Sequence, residues 1–102
     1  PDKPDPKGFI NLSKKLIGDK LGESNIPIAY VGDTIADINT VINARKEIPS
    51  QKFISIGIAP PHLHLNSRLK ERNSYETNLR NAGADLILNS IYDLKDINLD
   101  LF

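Results

Sequence analysis

Two apolar, β-rich runs flank a segment of helical periodicity, and this arrangement limits the fold more than any other feature of the chain. The first run, Ile26 to Val31, carries Ile28-Ala29-Tyr30-Val31, and the second runs from Phe53 to Ile58. Between them Ile35, Ile38, Val41 and Ile42 recur at the spacing of one helix face over about Thr34 to Glu47. Pro27 marks the beginning of the first strand and Pro49 ends the helix. Strand, helix and strand with short links predict a βαβ unit, and a βαβ unit predicts a parallel sheet.

The turn of that unit is acidic. Gly32-Asp33-Thr34-Ile35-Ala36-Asp37 follows directly on the apolar run, and Asp37 lies four residues beyond Asp33. In a parallel α/β sheet such a turn sits at the carboxyl ends of the strands, where ligands bind. Two carboxylates there are a potential Mg²⁺ site, because this ion takes one or two carboxylates together with phosphate oxygens and water. The structural alternative has equal weight for the isolated motif: Asp33 caps the helix and Asp37 complements its dipole.

The rest of the chain reads as support. Pro1 to Pro6 is extended, Asp5 is placed to cap a helix, and the helix runs from about Pro6 to Gly18. Phe9, Leu12 and Leu16 share its apolar face, with Ile10 and Ile17 on the flank and Lys14 and Lys15 on the wet side. Ala59 to Asn73 reads as a long irregular loop, followed by a short helix from Ser74 to Ala82 that Gly83 closes. Ala84 to Leu88 is a third strand, Ile91 to Leu94 a short helix or turn, and the last residues pair at an edge or dangle. In the long loop, His62 and His64 are two potential ligands without a third, which favours a plain surface loop over a metal site. Arg68, Lys70 and Arg72 read as a solvated face and Tyr75 as a packing residue.

Composition removes several classes of function. With 13 Lys plus Arg against 13 Asp plus Glu, the chain has no basic excess for binding nucleic acid by bulk electrostatics. It has no apolar run long enough to cross a bilayer and no signal-peptide pattern, so neither membrane nor nucleic acid is expected as a partner. The absence of Cys excludes disulfides and thiolate chemistry and fits a cytoplasmic location. The 102 residues suffice for one domain.

Lys3, thirty residues before Asp33, precedes a helix start and would alone pass for a solvated terminal lysine. An ammonium there can also neutralise a phosphoryl group or a carboxylate nucleophile. Lys3-Pro4-Asp5-Pro6-Lys7-Gly8-Phe9 leading into a helix, then Val31-Gly32-Asp33-Thr34-Ile35-Ala36-Asp37-Ile38 after a strand, resembles the haloacid dehalogenase (HAD) superfamily. The resemblance is to its phosphoglycolate-phosphatase-like branch and extends through Phe53 to Ile58 and Gly83-Ala84-Asp85. It implies an α/β Rossmann-like parallel sheet with helices on both faces, here the carboxyl-terminal half of the core domain across residues 1–102.

The resemblance further implies roles. Lys3 would balance charge on the nucleophile and the transferred phosphoryl group. Asp33 would be a Mg²⁺ ligand, and Asp37 would hold the metal directly or through water. Gly32 would allow close backbone approach, and Thr34 would assist substrate binding by a hydrogen bond. The expected function is a Mg²⁺-dependent phosphatase of small phosphorylated metabolites acting through an aspartyl-phosphate. A dehalogenase or phosphonatase shares these two motifs, but the paired acids favour a phosphatase.

One departure is large. The family's nucleophilic Asp-x-Asp occurs nowhere in the sequence, and its cap domain is absent as well. The residues are therefore expected to be the supporting part of an active site, inactive alone. Their first strand is expected to be an open edge that pairs with a missing amino-terminal part or with another copy. The alternative class is a non-catalytic α/β binding or interaction domain of the same shape.

Overall fold

The computed structural model describes residues 3–23 and 25–102. The expected βαβ unit is present and is extended by a second crossover. Strands β1 (Ile28–Gly32), β2 (Phe53–Ile58) and β3 (Leu86–Leu88) form a parallel sheet in the order β1-β2-β3. Helix α1 (Lys7–Ile17) precedes the sheet, α2 (Ile35–Glu47) connects β1 to β2, and α3 (Leu69–Ala82) connects β2 to β3. Ile28 pairs with Phe53 and Gly32 with Gly57, so the carboxyl ends of β1 and β2 lie level. The class is mixed α/β, a small three-stranded parallel sheet with flanking helices.

The helices do not cover both faces. Phe9 and Ile10 of α1 pack with Val41 and Ala44 of α2 against Ile28 and Phe53, and Tyr30 joins this cluster. Leu79 of α3 lies over Gly57, on the same side as Phe53. The three α-helices therefore share one face. Two crossovers of the same hand that step across the sheet in the same direction must place their helices on the same side. The opposite face, with Ile54, Ile56 and Leu88 at its centre, is covered by Ile97 and Leu99 of the carboxyl-terminal segment. That segment neither dangles nor adds a strand. It forms two 3₁₀ turns, Ile91–Asp96 and Leu99–Leu101, the first capped by Ser90 and Asp93.

Other differences have local causes. Strand β1 starts at Ile28, two residues later than expected, because Pro27 has no N–H and the ladder opens with Ile28 N donating to Lys52 O. In α1 the buried residues are Phe9, Ile10 and Ser13, whereas Leu12 and Leu16 are exposed. Ser13 tolerates this site because its hydroxyl donates to Phe9 O at 2.9 Å, and Phe9 fixes the rotation of the helix through ring contacts with Tyr30 and Phe53, both at 5.1 Å. Asp5 does take up an amide of the first turn, that of Lys7, at 2.9 Å. Helix α3 begins at Leu69, five residues before Ser74. Its amino-terminal half and the Arg68 cap before it carry ion pairs Arg68–Glu71 and Arg72–Glu76 in place of an apolar stripe, and so resemble a loop in sequence. Gly83 closes α3 at a φ of +119°, as its position predicts.

Candidate functional site at the carboxyl ends of the strands

Asp37 is the hub of the site. Thr34 is the N-cap of α2, and its hydroxyl accepts from the Asp37 amide at 3.1 Å. The Asp37 carboxylate reaches back, and Oδ2 accepts from the amides of Asp33 and Thr34 and from the Thr34 hydroxyl, at 2.9–3.1 Å. This capping box closes the turn and aims the carboxylate back over it. Gly32 is required for the same reason: a Cβ on it would stand 2.5 Å from Asp37 Cγ and 2.6 Å from Oδ2. The close approach expected at Gly32 is thus made by the side chain of Asp37.

The other oxygen, Oδ1, faces across the chain. It accepts from Lys3 Nζ at 2.6 Å and from the Tyr30 hydroxyl at 3.0 Å. Lys3 is brought there by the segment before α1, where Pro4 O accepts from Asn43 Nδ2 of α2 at 3.0 Å. The lysine and the two acids that the resemblance groups therefore share one locus: Lys3 and Asp37 are in direct contact, and the charge of Asp33 acts on both Lys3 and Tyr30.

The electrostatics follow from this geometry. Burial pushes the Asp37 carboxyl up, but hydrogen bonds from Lys3, Thr34 and Tyr30 outweigh it and hold the group below the ordinary carboxylate range. The hydrogen bond to Asp37 and its negative charge raise the Lys3 ammonium. The Tyr30 hydroxyl is raised by burial, and by its bond to Asp37. At neutral pH the site holds a carboxylate–ammonium pair and a neutral phenol.

Asp33 differs. Its backbone is pinned, since the amide donates to Asp37 and the carbonyl accepts from the Tyr75 hydroxyl of α3. Its carboxylate makes no hydrogen bond or ion pair among the described residues, and it lines a cleft of about 450 Å³. Ile58 at the end of β2, Ala59, Pro60 and Pro61 after it, and Ser90 and Ile91 after β3 form the walls of this cleft, with His64. Burial and the charges of Asp33 and Asp37 raise the Tyr75 hydroxyl.

These facts sort the candidate residues. Asp33 can offer a carboxylate to a cation. Both oxygens of Asp37 are occupied by donors and the Thr34 hydroxyl gives its proton to Asp37 Oδ2, so Asp37 would have to surrender a bond to take a cation, and Thr34 to donate to a ligand. Among the described residues no group of three His, Cys, Asp or Glu side chains could hold a metal. The fit to Mg²⁺ is one carboxylate from Asp33, with the remaining positions left to phosphate oxygens and water, as is common for this ion. His62 is exposed, and His64 Nε2 lies 2.7 Å from Ala59 O, an arrangement that orders the loop without a metal.

Tyr30 and Tyr75 were not legible as site residues. Tyr30 reads as one more apolar member of a strand, and only its strand parity, on the α2 side of the sheet, brings its hydroxyl to Asp37. Tyr75 lies forty-two residues from Asp33. Comparison with protein-family models, characterised proteins and solved structures finds no match. No helix among the described residues is long and apolar enough to cross a membrane.

Proposed function

We propose that this chain forms the lysine and metal side of a HAD-type, Mg²⁺-dependent hydrolase that acts on a small phosphorylated metabolite. The observation that carries the reading is the 2.6 Å contact of Lys3 Nζ with Asp37 Oδ1, which closes thirty-four residues of chain at the carboxyl end of β1. There it stands beside a carboxylate, that of Asp33, without a hydrogen-bond partner among the described residues. Lys3 is half exposed, so its ammonium can face a phosphoryl group while Asp37 fixes its position. Asp33 would hold the Mg²⁺, which when bound neutralises phosphate charge. Asp37, Thr34 and Tyr30 act by position: they fix the turn amides, the lysine and hence the distance between the two charged groups.

Phosphate-monoester hydrolysis is among the slowest uncatalysed reactions, with enzymatic accelerations of up to about 10²¹-fold. An ammonium and a metal-binding carboxylate do not replace a covalent nucleophile. These residues alone should bind phosphate without turning over an ester. The test is isothermal titration of inorganic phosphate in the presence and absence of Mg²⁺. Binding that requires Mg²⁺ and weakens in Lys3→Ala and in Asp33→Asn supports the reading, and binding indifferent to both substitutions removes it.

A second reading, a non-catalytic binding domain, draws on the occupied lone pairs of Asp37 and the lack of a three-ligand cluster among the described residues. It predicts no Mg²⁺-dependent phosphate binding.

A further inference from the structure

The cleft beside Asp33 is more apolar than a phosphate site requires. Five of its lining residues, Ile58, Ala59, Pro60, Pro61 and Ile91, are aliphatic, and they come from the end of β2 and the segments that follow β2 and β3. Its volume of about 450 Å³ falls within the range of small-molecule pockets, about 300–1,000 Å³. It lies at the carboxyl ends of three parallel strands, where α/β sheets bind ligands. Its polar lining residues are few: Asp33, Ser90 and His64.

His64 has a defined polarity. A carbonyl oxygen only accepts, so Nε2 donates to Ala59 O, and in the neutral ring Nδ1 is left as an acceptor. The Ser90 hydroxyl already accepts from the Tyr92 amide, as the cap of the following turn. The aliphatic walls therefore suit an apolar body, and the Ser90 O–H, which the Tyr92 amide leaves free to donate, is the polar contact they add.

We propose that this cleft binds the organic part of the ligand, and that this part is an apolar, ring-sized group joined to a phosphate held at Lys3 and Asp33. The inference rests on the phosphate reading and narrows its substrate class: aryl or similarly apolar phosphate esters are preferred over sugar phosphates. A polyhydroxylated sugar would leave its hydroxyls facing Ile58, Pro60, Pro61 and Ile91 without partners, whereas a ring that is apolar loses nothing by leaving water.

Three probes test it by backbone-amide NMR titration of the whole chain: p-cresol, phenyl phosphate with Mg²⁺, and inorganic phosphate with Mg²⁺. Shifts from p-cresol should centre on Ile58, Ala59 and Ile91. Phenyl phosphate should bind at least about tenfold tighter than inorganic phosphate. Ile91→Ser, at an exposed wall position that tolerates substitution, should abolish that advantage without altering inorganic phosphate binding. Absence of p-cresol shifts at the cleft, or an advantage that survives Ile91→Ser, overturns the cleft assignment and leaves the phosphate reading standing. Cleft shifts from p-cresol with no Mg²⁺-dependent phosphate binding overturn the phosphate reading and the joined ligand, and leave the cleft as an apolar site only.

Discussion

Replacing Asp37 by Ala and by Asn separates the two jobs of this side chain. The Ala variant loses the capping box, worth about 1 kcal/mol in a typical helix. It also strips acceptors from the amides of Asp33 and Thr34 and from the hydroxyls of Thr34 and Tyr30, around a side chain only 4% exposed. A buried donor left unpaired costs about 1–3 kcal/mol, and some of these will recruit water, so the total is about 2–4 kcal/mol. For a domain of this size that lowers Tm by on the order of 10–20 °C. In the Asn variant the amide oxygen can take the place of Oδ2 and keep its three donors. The amide nitrogen then faces Lys3, donor against donor. The Asn variant should therefore lose about 1 kcal/mol, keep the helix and misplace the lysine.

The pH dependence has a defined sign. The folded-state pKa of Asp37 is lowered, so its contribution is fully present above the unfolded value of about 3.9 and is lost as pH falls through the folded value. The gap between wild type and Asp37→Asn should be constant near neutrality and close below about pH 4. Urea unfolding at pH 7 and at a series of lower pH values reads both effects. Equal losses for Ala and Asn at pH 7, or a gap that persists at the lowest pH, would refute the assignment of Asp37 as an ionised hub.

Four other outcomes follow from the same structure. Gly32→Ala should displace Asp37 and destabilise by about 1–3 kcal/mol in thermal unfolding, because the new methyl group overlaps the carboxyl of Asp37. Ser55→Ala should be neutral or stabilising by up to about 1 kcal/mol, since Ser55 Oγ is buried without a partner among the described residues; a loss above that in urea would reveal a partner. Asp85→Ala should cost about 1.5–3 kcal/mol, because one carboxylate oxygen receives both Arg45 and the Ser55 amide and ties α2, β2 and the approach to β3 together; chemical denaturation checks it. Aryl phosphate with Mg²⁺ should show no turnover above the solution rate when incubated with these residues alone, and metal-dependent release of phenol would contradict that.

Much of the layout follows from local chemistry that can be read along the chain. The second strand needs no neighbour to be recognised, because six β-rich residues between polar turns have few other uses. Gly83 is equally local as a helix end, whereas the cap of the second helix is Thr34, in a capping box with Asp37, and not Asp33 as the sequence suggests. Lys3, Asp33 and Asp37 are legible as a group only through a resemblance, since thirty-four residues separate the ends of the contact that joins them.

Tertiary structure decided what depends on two elements at once. The face that α1 buries is one such property: Leu12 and Leu16 have the greater hydrophobicity, yet Phe9, packed on Tyr30 and Phe53, turns Ser13 inward and leaves both leucines in water. The side of the sheet taken by each helix is another, fixed by the hand and direction of the crossovers rather than by any residue within them. The division of labour between the two acids is the third. Asp33 and Asp37 are chemically identical and four residues apart, but donors from β1, the turn and the amino-terminal segment converge on Asp37, whereas Asp33 lines the cleft with no side-chain partner among the described residues. A sequence specifies which groups can ionise or donate, whereas which of them already have partners is settled only when distant segments meet.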